Sequence, residues 1–244
     1  MKFIINNMKV DLLIPCYNED KNINYLVDEW RDITNINKNI YVLFIDNGST
    51  DQTNKILKNK ILTINSPNLD MLEIKKNIGY GSGLKLGFQH TVNEIVGWTH
   101  ADLQIPTEDV AKAINFYLKN QNSDKVVLKG RRKERNILDN FFTFFMSIVG
   151  YFFTKELIYD INAQPKLFYR NIIKDINTFP DNFLIDAELL YLAKKKGVEI
   201  IEYESEFLDR KFNNAKGGGT LKGKLNLSIN TLRYFWKFRK INHR

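Results

Sequence analysis

Two short apolar runs separated by a helix-length segment constrain the fold of this chain more than any other feature. Val10–Pro15 and Ile40–Asp46 are typical of buried parallel strands, because each is almost continuously apolar and ends in a turn signal. Asn22–Ile36 between them carries apolar residues at helical spacing. A strand, a helix and a strand in this order open a βαβ unit, so we predict an α/β fold with a mostly parallel central sheet flanked by helices.

The same alternation continues along the chain. The first half predicts helices and strands at 51–58 (helix), 61–64 (strand), 77–87 (helix), 94–99 (strand), from Pro106 (helix) and at 124–129 (strand). The second half predicts an aromatic helix at 136–153, a helix at 185–196 and a strand at 198–207. Because no repeat or low-complexity linker interrupts the pattern, we expect one domain over residues 1–215 and an extension at 216–244.

The basic excess of the chain is confined to that extension. The whole sequence has 36 basic and 28 acidic residues, but residues 216–244 contain eight basic residues and no acidic one, so residues 1–215 are electrically balanced. Apolar residues recur in the extension at helical spacing, namely Leu225, Ile229, Leu232 and Trp236. A basic amphipathic helix of this kind is suited to an anionic bilayer, and we expect the extension to contact a membrane surface.

No segment predicts export or a spanning helix. Residues 1–10 lack the pattern of a secretory signal, and no run approaches the roughly 20 apolar residues that cross a bilayer. The single cysteine, Cys16, favours a reducing compartment. The aromatic run Phe141–Phe153 is either a core helix or an interfacial one, and we favour membrane contact. We therefore expect a cytoplasmic protein that is peripheral on the inner face of the membrane.

Two glycine-containing segments follow predicted strands, which is where α/β sheets bind their ligands. Asp46–Asp51 offers a carboxylate and a glycine turn, although a simple capped turn explains it equally well. Asn77–Gly83 opens a helix, and its glycines predict the close approach of a phosphate to backbone N–H groups. Neither segment is specific when it is considered alone.

The segment His100–Gln104 is the strongest candidate for a metal site. Its alternating polar side chains, those of His100, Asp102 and Gln104, point to one side just beyond a predicted strand. Carboxylate and amide oxygens suit a hard divalent cation that bridges phosphates, whereas imidazole suits softer ions such as Mn²⁺. The alternative is an exposed loop that caps the helix at Pro106.

Four motifs occur in a defined order, namely Ile14–Glu19, Ile45–Asp51, Asn77–Gly81 and Ala101–Gln104. Their order and spacing resemble those of family 2 glycosyltransferases with the GT-A fold, and the resemblance covers residues 8–220. Within that family the chain is most similar to polyprenyl-phosphate sugar synthases of the dolichyl-phosphate mannose or glucose type. Further matching segments are Gly130-Arg131, Asp186–Leu190, Arg210 and Lys216.

The resemblance implies a role for each matching residue. The residues that would contact a nucleotide-sugar donor are Pro15, Tyr17, Glu19, Asp46, Asn77, Gly79 and Asp102. Those that would hold a divalent metal, Mg²⁺ or Mn²⁺, are Asp102, Gln104 and His100. The acceptor and the phosphates would meet Arg131, Glu188, Arg210 and Lys216. The residues expected to act in catalysis are Asp102, Asp186 and Arg131.

Two residues depart from the family pattern. His100 stands where the family usually has the first aspartate of Asp-x-Asp, so metal binding is expected to be weaker or shifted toward Mn²⁺, and to depend on pH. Asn47 replaces a commoner aspartate at a position that bears on the base contact, and therefore on which nucleotide is bound.

The implied reaction is inverting transfer of a hexose from a UDP- or GDP-sugar to a polyprenyl phosphate. One alternative is transfer to a saccharide hydroxyl in surface-polysaccharide synthesis, which needs a general base; Asp186 is the candidate, with Glu188 structural or orienting it. Another is a nucleotide-sugar binder that has lost catalysis through His100. A nucleic-acid-binding role for the basic extension leaves the four motifs unexplained, so we expect no nucleic-acid partner.

Overall fold

A computed structural model describes residues 8–119, 125–133, 147–148, 151 and 157–210 of the chain. The predicted extension at 216–244, which includes Lys216, and most of the predicted aromatic helix at 136–153 lie outside these residues. Within the described ranges the chain forms a seven-stranded sheet flanked by helices, which confirms the α/β prediction.

The sheet is mixed but mostly parallel. Its strands are β1 (Val10–Cys16), β2 (Ile40–Asn47), β3 (Leu69–Ile74), β4 (Ile95–Trp98), β5 (Val126–Arg132), β6 (Lys166–Tyr169) and β7 (Glu199–Ser205). The α-helices whose bounds lie within the described residues are α1 (Asp20–Ile36), α2 (Thr53–Ile64), α3 (Tyr80–His90), α4 (Thr107–Lys119) and α5 (Ile185–Lys195). The strand order is β3-β2-β1-β4-β6-β5-β7, in which β6 alone runs antiparallel to its neighbours.

The central strands are buried on both faces. Successive side chains of a strand point to opposite faces, so Leu12 and Leu13 of β1 enter two different cores. Leu12 packs in the core that contains Trp30 of α1 and Ile114 of α4, whereas Leu13 packs in the core that contains Leu190 of α5. This two-sided burial explains why the strand sequences are almost continuously apolar.

The strand predicted at 61–64 is wrong, because these residues form the last turn of α2. Ile61 and Ile64 continue the helical spacing of Leu57 and pack against the same core. The helix ends at Asn65, whose backbone is left-handed with a φ of 45°. The third strand of the sheet is instead β3, which follows this turn.

Strand β6 is absent from the sequence prediction. It has only four residues and starts with a lysine, so no long apolar run marks it as a strand in the sequence. Lys166 lies opposite Trp98 of β4 and Lys129 of β5. Strand β6 therefore places the charged side chain of Lys166 next to Trp98, the last residue of β4.

The three parallel strands β2, β1 and β4 bring the polar motifs to one edge. Pro15 pairs with Ile45, and Cys16 pairs with Asp46, so β1 and β2 end at the same level. Beyond β4, the Thr99 N–H donates to the Leu13 carbonyl at 3.1 Å. The loops that follow all three strands therefore start side by side.

Close packing at Gly130 generates a test of this architecture. Gly130→Ala is expected to lower the free energy of unfolding by about 3 kcal/mol, because the added Cβ would lie 1.8 Å from the Gln164 carbonyl oxygen and the backbone must move. Gly197→Ala is the control, since its Cβ would meet nothing within 4 Å and only its φ of 68° opposes the change, at about 1–2 kcal/mol. Denaturant unfolding measures both losses, and equal losses would contradict the packing explanation.

Candidate active site

Hydrogen bonds join the loops after β1 and β2 into one unit. The Asn18 N–H donates to the Ser49 hydroxyl at 3.0 Å, and the Thr50 N–H donates to the Asn18 side-chain oxygen at 2.7 Å. The Glu19 N–H also donates to the Thr53 hydroxyl at 2.7 Å. Because the loops hold each other, the start of α1 and the start of α2 are fixed relative to both strand ends.

Four of the predicted nucleotide-binding residues lie at this joined edge. Pro15 and Tyr17 are half-buried at the end of β1. Glu19 and Asp46 are almost fully buried, and Asp46 accepts a hydrogen bond from the Asn54 side chain at 2.7 Å. The structure therefore places these four residues at one edge of the sheet, and their predicted contact with a nucleotide stays a prediction.

Asn47 holds the next loop in place through both ends of its amide. Its Nδ2 donates to the Gly79 carbonyl at 2.9 Å, and its Oδ1 accepts from the Ile78 N–H at 3.3 Å. Asn77 is exposed, and its side-chain oxygen accepts from the Gly79 N–H at 2.9 Å. A carboxylate at position 47 has no donor for the Gly79 carbonyl, so the asparagine is explained by loop geometry.

The glycines at the start of α3 accommodate a protein segment. The N–H groups of Gly81 and Ser82 both donate to the Asp181 carbonyl, at 3.0 and 3.3 Å. An added Cβ would lie 2.5 Å from the Asp181 oxygen at Gly79 and 2.2 Å from the Pro180 oxygen at Gly81. The helix end therefore binds a backbone carbonyl, where the sequence predicted a phosphate.

Tyr80 and His100 face each other at the end of β4. Their rings meet edge to face, with centroids 5.7 Å apart, and Phe183 stacks on Tyr80 at 4.5 Å. The Tyr80 hydroxyl and His100 Nε2 are buried and have no hydrogen-bond partner among the residues that the structure describes. Burial lowers the pKa of His100, although Asp102 and Asp186 oppose this effect. Burial, and then the charges of Asp186 and Asp102, raise the pKa of Tyr80 well above its usual value.

Asp102 and Gln104 are both bound to Arg210. An Arg210 Nη atom lies 2.8 Å from Asp102 Oδ2, and Arg210 Nε donates to Gln104 Oε1 at 3.0 Å. The other carboxylate oxygen of Asp102 accepts from the Gln104 N–H at 3.2 Å. Two predicted metal ligands and one predicted phosphate contact are therefore in direct contact with each other.

The donor atoms at this motif suit a divalent cation in their chemistry. Asp102 supplies a carboxylate, Gln104 an amide oxygen, and His100 a buried Nε2 to which no described residue hydrogen-bonds. With its pKa lowered, the imidazole is neutral at physiological pH, which is the form that binds metal ions. Among the described residues, no group of three His, Cys, Asp or Glu side chains is already arranged to hold a metal.

Asp186 is fully enclosed at the start of α5. Its side chain is 0% exposed, and it accepts from Trp98 Nε1 at 2.8 Å and from Gln164 Nε2 at 3.2 Å. Lys166 Nζ lies 3.5 Å away. Burial lowers the pKa of Lys166 to about 8, with Asp186 opposing and Lys129 adding to the shift. The carboxylate predicted as a general base therefore accepts hydrogen bonds from two buried side chains and lies beside a buried lysine.

Arg131 and Arg132 lie on opposite sides of β5. Arg131 is more than half exposed, and its guanidinium lies 3.6 Å from Glu202 and 3.9 Å from Glu204 of β7. Arg132 instead forms a forked ion pair with the buried Asp160. The structure therefore does not bring Arg131, the predicted catalytic and phosphate-binding residue, into the contacts described for His100 and Asp186.

Of the two neighbouring arginines of β5, Arg132 is the one whose charge acts on His100. Its charge acts on both His100 and Lys166, and its guanidinium lies 5.0 Å from the centre of the Phe207 ring. The order of residues along β5 could have distinguished Arg132 from Arg131, because adjacent side chains of a strand point to opposite faces. Tyr80 and Lys166 also escape prediction, since one was considered only as part of a glycine motif and the other lies on a strand that was not predicted.

Two predicted acceptor- or phosphate-binding residues, Glu188 and Lys216, lie elsewhere in the chain. Glu188 is half-buried in the first turn of α5, two residues after Asp186. Lys216 lies outside the described residues.

The site that the structure assembles has carboxylates, a neutral imidazole and an arginine beyond the ends of parallel strands. This combination is suited to binding a phosphorylated ligand.

Comparison with known proteins places this chain in a family and identifies relatives. Residues 11–176 match the family described as Glycosyl transferase family 2. A dolichyl-phosphate beta-glucosyltransferase of Dictyostelium discoideum is 25% identical over 217 residues, an alignment that covers 81% of this chain and 66% of that protein. The chain thus spans slightly less than two thirds of that relative.

Solved structures share the fold at lower sequence identity. Glucosyl-3-phosphoglycerate synthase of Mycobacterium tuberculosis, solved with Mn²⁺, UDP and glucosyl-3-phosphoglycerate, superposes with a TM-score of 0.69 at 14% identity, covering 95% of this chain and 80% of that one. A mannosyltransferase of Pyrobaculum calidifontis, solved with GDP-mannose and Mn²⁺, gives a TM-score of 0.60 at 19% identity, covering 83% and 57%. Both the family match and the shared architecture agree with the four ordered motifs: this chain is a glycosyltransferase that belongs to glycosyl transferase family 2 and has the GT-A fold.

Proposed function

We propose that this protein transfers a hexose, with inversion, from a UDP- or GDP-sugar to a polyprenyl phosphate. The donor nucleoside binds at the joined loops after β1 and β2, near Pro15, Tyr17, Glu19 and Asp46. The similarity to a dolichyl-phosphate beta-glucosyltransferase supports the lipid-phosphate acceptor. Structures of the same fold hold UDP in one case and GDP-mannose in another, so both nucleotides stay in the proposal.

We assign a divalent cation to Asp102 and Gln104, with His100 as a third ligand. The buried and unpartnered Nε2 of His100 supports this assignment, and both of those solved structures contain Mn²⁺. Such an ion stabilises negative charge on a departing diphosphate. Arg132 supplies positive charge beside the same region, in the role predicted for Arg131.

The enclosure of Asp186 is the observation that favours a phosphate acceptor. A sugar hydroxyl acceptor needs a base that can reach it, within about 3 Å. Asp186 has 0% exposure, and hydrogen bonds from Trp98 and Gln164 occupy its carboxylate. A phosphate acceptor is already anionic and needs no such base, so in our proposal Asp186 positions the neighbouring residues and does not take a proton from the substrate.

We also propose that the protein works at the inner surface of a membrane, because its acceptor is a lipid. The basic extension at 216–244 is the segment proposed to bind there. In the described part of the chain, no helix has the length and apolar character needed to cross a bilayer.

A transfer assay tests the proposed reaction directly. The protein is incubated with radiolabelled UDP-glucose or GDP-mannose, Mn²⁺ and a short-chain polyprenyl phosphate. We expect label in an organic-soluble product, an anomeric configuration opposite to that of the donor, and loss of transfer in excess chelator. Label found only in a water-soluble saccharide would favour the hydroxyl-acceptor alternative, and donor binding without transfer would favour a degenerate binder.

Substitution of Asp186 separates the two acceptor classes. Because Asp186→Asn alone leaves the buried Lys166 without its carboxylate, the test is made with Lys166→Met as the background. Turnover of the Lys166→Met/Asp186→Asn protein is expected to stay within about tenfold of that of Lys166→Met, since a general base contributes about 10²–10⁴-fold. A larger loss, in protein whose thermal unfolding shows that it is folded, would contradict the positioning role.

The membrane proposal is tested by neutralising the extension. Four substitutions, Lys222→Gln, Lys224→Gln, Lys237→Gln and Lys240→Gln, are expected to weaken co-sedimentation with anionic vesicles strongly, because each charge near the surface contributes about 1 kcal/mol. Substitution of four exposed lysines of the domain by glutamine, at Lys38, Lys55, Lys58 and Lys75, provides a control with the same change in net charge. Unchanged co-sedimentation of the fourfold variant would exclude an electrostatic role for the extension.

A further inference from the structure

Arg210 occupies the two oxygen ligands on which the proposed metal site depends. Its guanidinium contacts Asp102 Oδ2 at 2.8 Å and Gln104 Oε1 at 3.0 Å. The Asp102 side chain is only 9% exposed and that of Arg210 only 27%, so water screens this pair weakly. The arginine therefore stands where the carboxylate and the amide would otherwise bind an ion.

The segment that carries Arg210, residues 206–210, is itself attached to the metal motif. The Leu208 N–H donates to the Gln104 carbonyl at 2.8 Å, and Gln104 Nε2 donates to the Leu208 carbonyl at 3.2 Å. The Glu206 N–H donates to Asp109 of α4 at 3.1 Å. These contacts hold residues 206–210 across the loop that follows β4, which gives the Arg210 contact a defined backbone geometry.

Arg210 and a divalent cation cannot both use the same lone pairs. Metal coordination needs Asp102 Oδ2 and Gln104 Oε1 at about 2.0–2.6 Å from the ion, and a guanidinium within hydrogen-bond distance of both atoms repels that charge. Arg210 therefore opposes cation binding at these two atoms, and the ion binds more tightly when the guanidinium moves away. A diphosphate offers a guanidinium a bidentate partner of its own, so it favours the departure.

We propose that Arg210 is a built-in competitor of the divalent cation, holding Asp102 and Gln104 when no diphosphate is present. This inference rests on the proposed function, since it takes the ion to bind at Asp102. Free protein then binds the ion weakly, and nucleotide diphosphate raises the affinity by removing the competitor. The linkage is reciprocal, so the ion also raises the affinity for the nucleotide.

Binding of Mn²⁺ to the free protein, measured by electron paramagnetic resonance, tests the inference without any transfer reaction. Arg210→Ala is expected to bind Mn²⁺ roughly tenfold or more tightly than wild type, since an ion pair no longer has to be broken. Arg31→Ala is the matched control, because Arg31 pairs with Asp28 and Asp32 on the surface of α1 and its loss changes the net charge equally. It is expected to bind like wild type.

Two further measurements complete the test. Adding Asp102→Asn to Arg210→Ala is expected to abolish the gain, which locates the ion at the motif. Adding UDP is expected to shrink the difference between wild type and Arg210→Ala. If Arg210→Ala binds Mn²⁺ no more tightly than Arg31→Ala, the competition does not exist. Failure of sugar transfer with a clear gain in Mn²⁺ affinity would reject the proposed reaction and leave this inference standing.

Discussion

The parallel alignment of β2, β1 and β4, buried on both faces, is the constraint on which the rest of the structure depends. Parallel strands need crossover helices, and these helices cover both sides of the sheet and exclude water from it. The chain can therefore place its polar groups only where the strands end. Because all three strands end at the same edge, residues distant in sequence, such as Asp46 and His100, reach a common region without any further device.

The charged side chains that are buried near these strand ends form ion pairs with each other. Lys166 lies beside Asp186, Lys129 lies 2.9 Å from Glu202, and Arg132 is paired with Asp160. An isolated charge in such a position is costly, and a buried pair contributes little net stability. What the pairs provide is a fixed arrangement of charges on β5 and β6, and three of the paired groups, Asp186, Lys166 and Arg132, act on the pKa of His100.

The sequence predicts the architecture well where a local pattern is compatible with only one kind of secondary structure. The continuous apolar runs of β1 and β2 require burial on both faces, and the polar residues after them then fall at the ligand edge. The apolar residues in 61–64 are compatible with a strand or with a helix, and the structure shows a helix in which Ile61 and Leu57 pack in the same core. Tertiary contacts decide the rest: no local pattern indicates that Arg210 reaches Asp102, or that Asp186 is enclosed by Trp98 and Gln164.

The contact between the start of α3 and residues 180–181 limits how these positions can vary between related chains. The Asp181 carbonyl that receives the Gly81 and Ser82 N–H groups belongs to the backbone, so any residue at 181 supplies it. The positions that face it have no such freedom, because Gly79 and Gly81 have no room for a side chain. The two glycines should therefore vary less than position 181, where a substitution loses only the side-chain contacts of Asp181 with Ser82 and Lys85 and keeps the backbone contact.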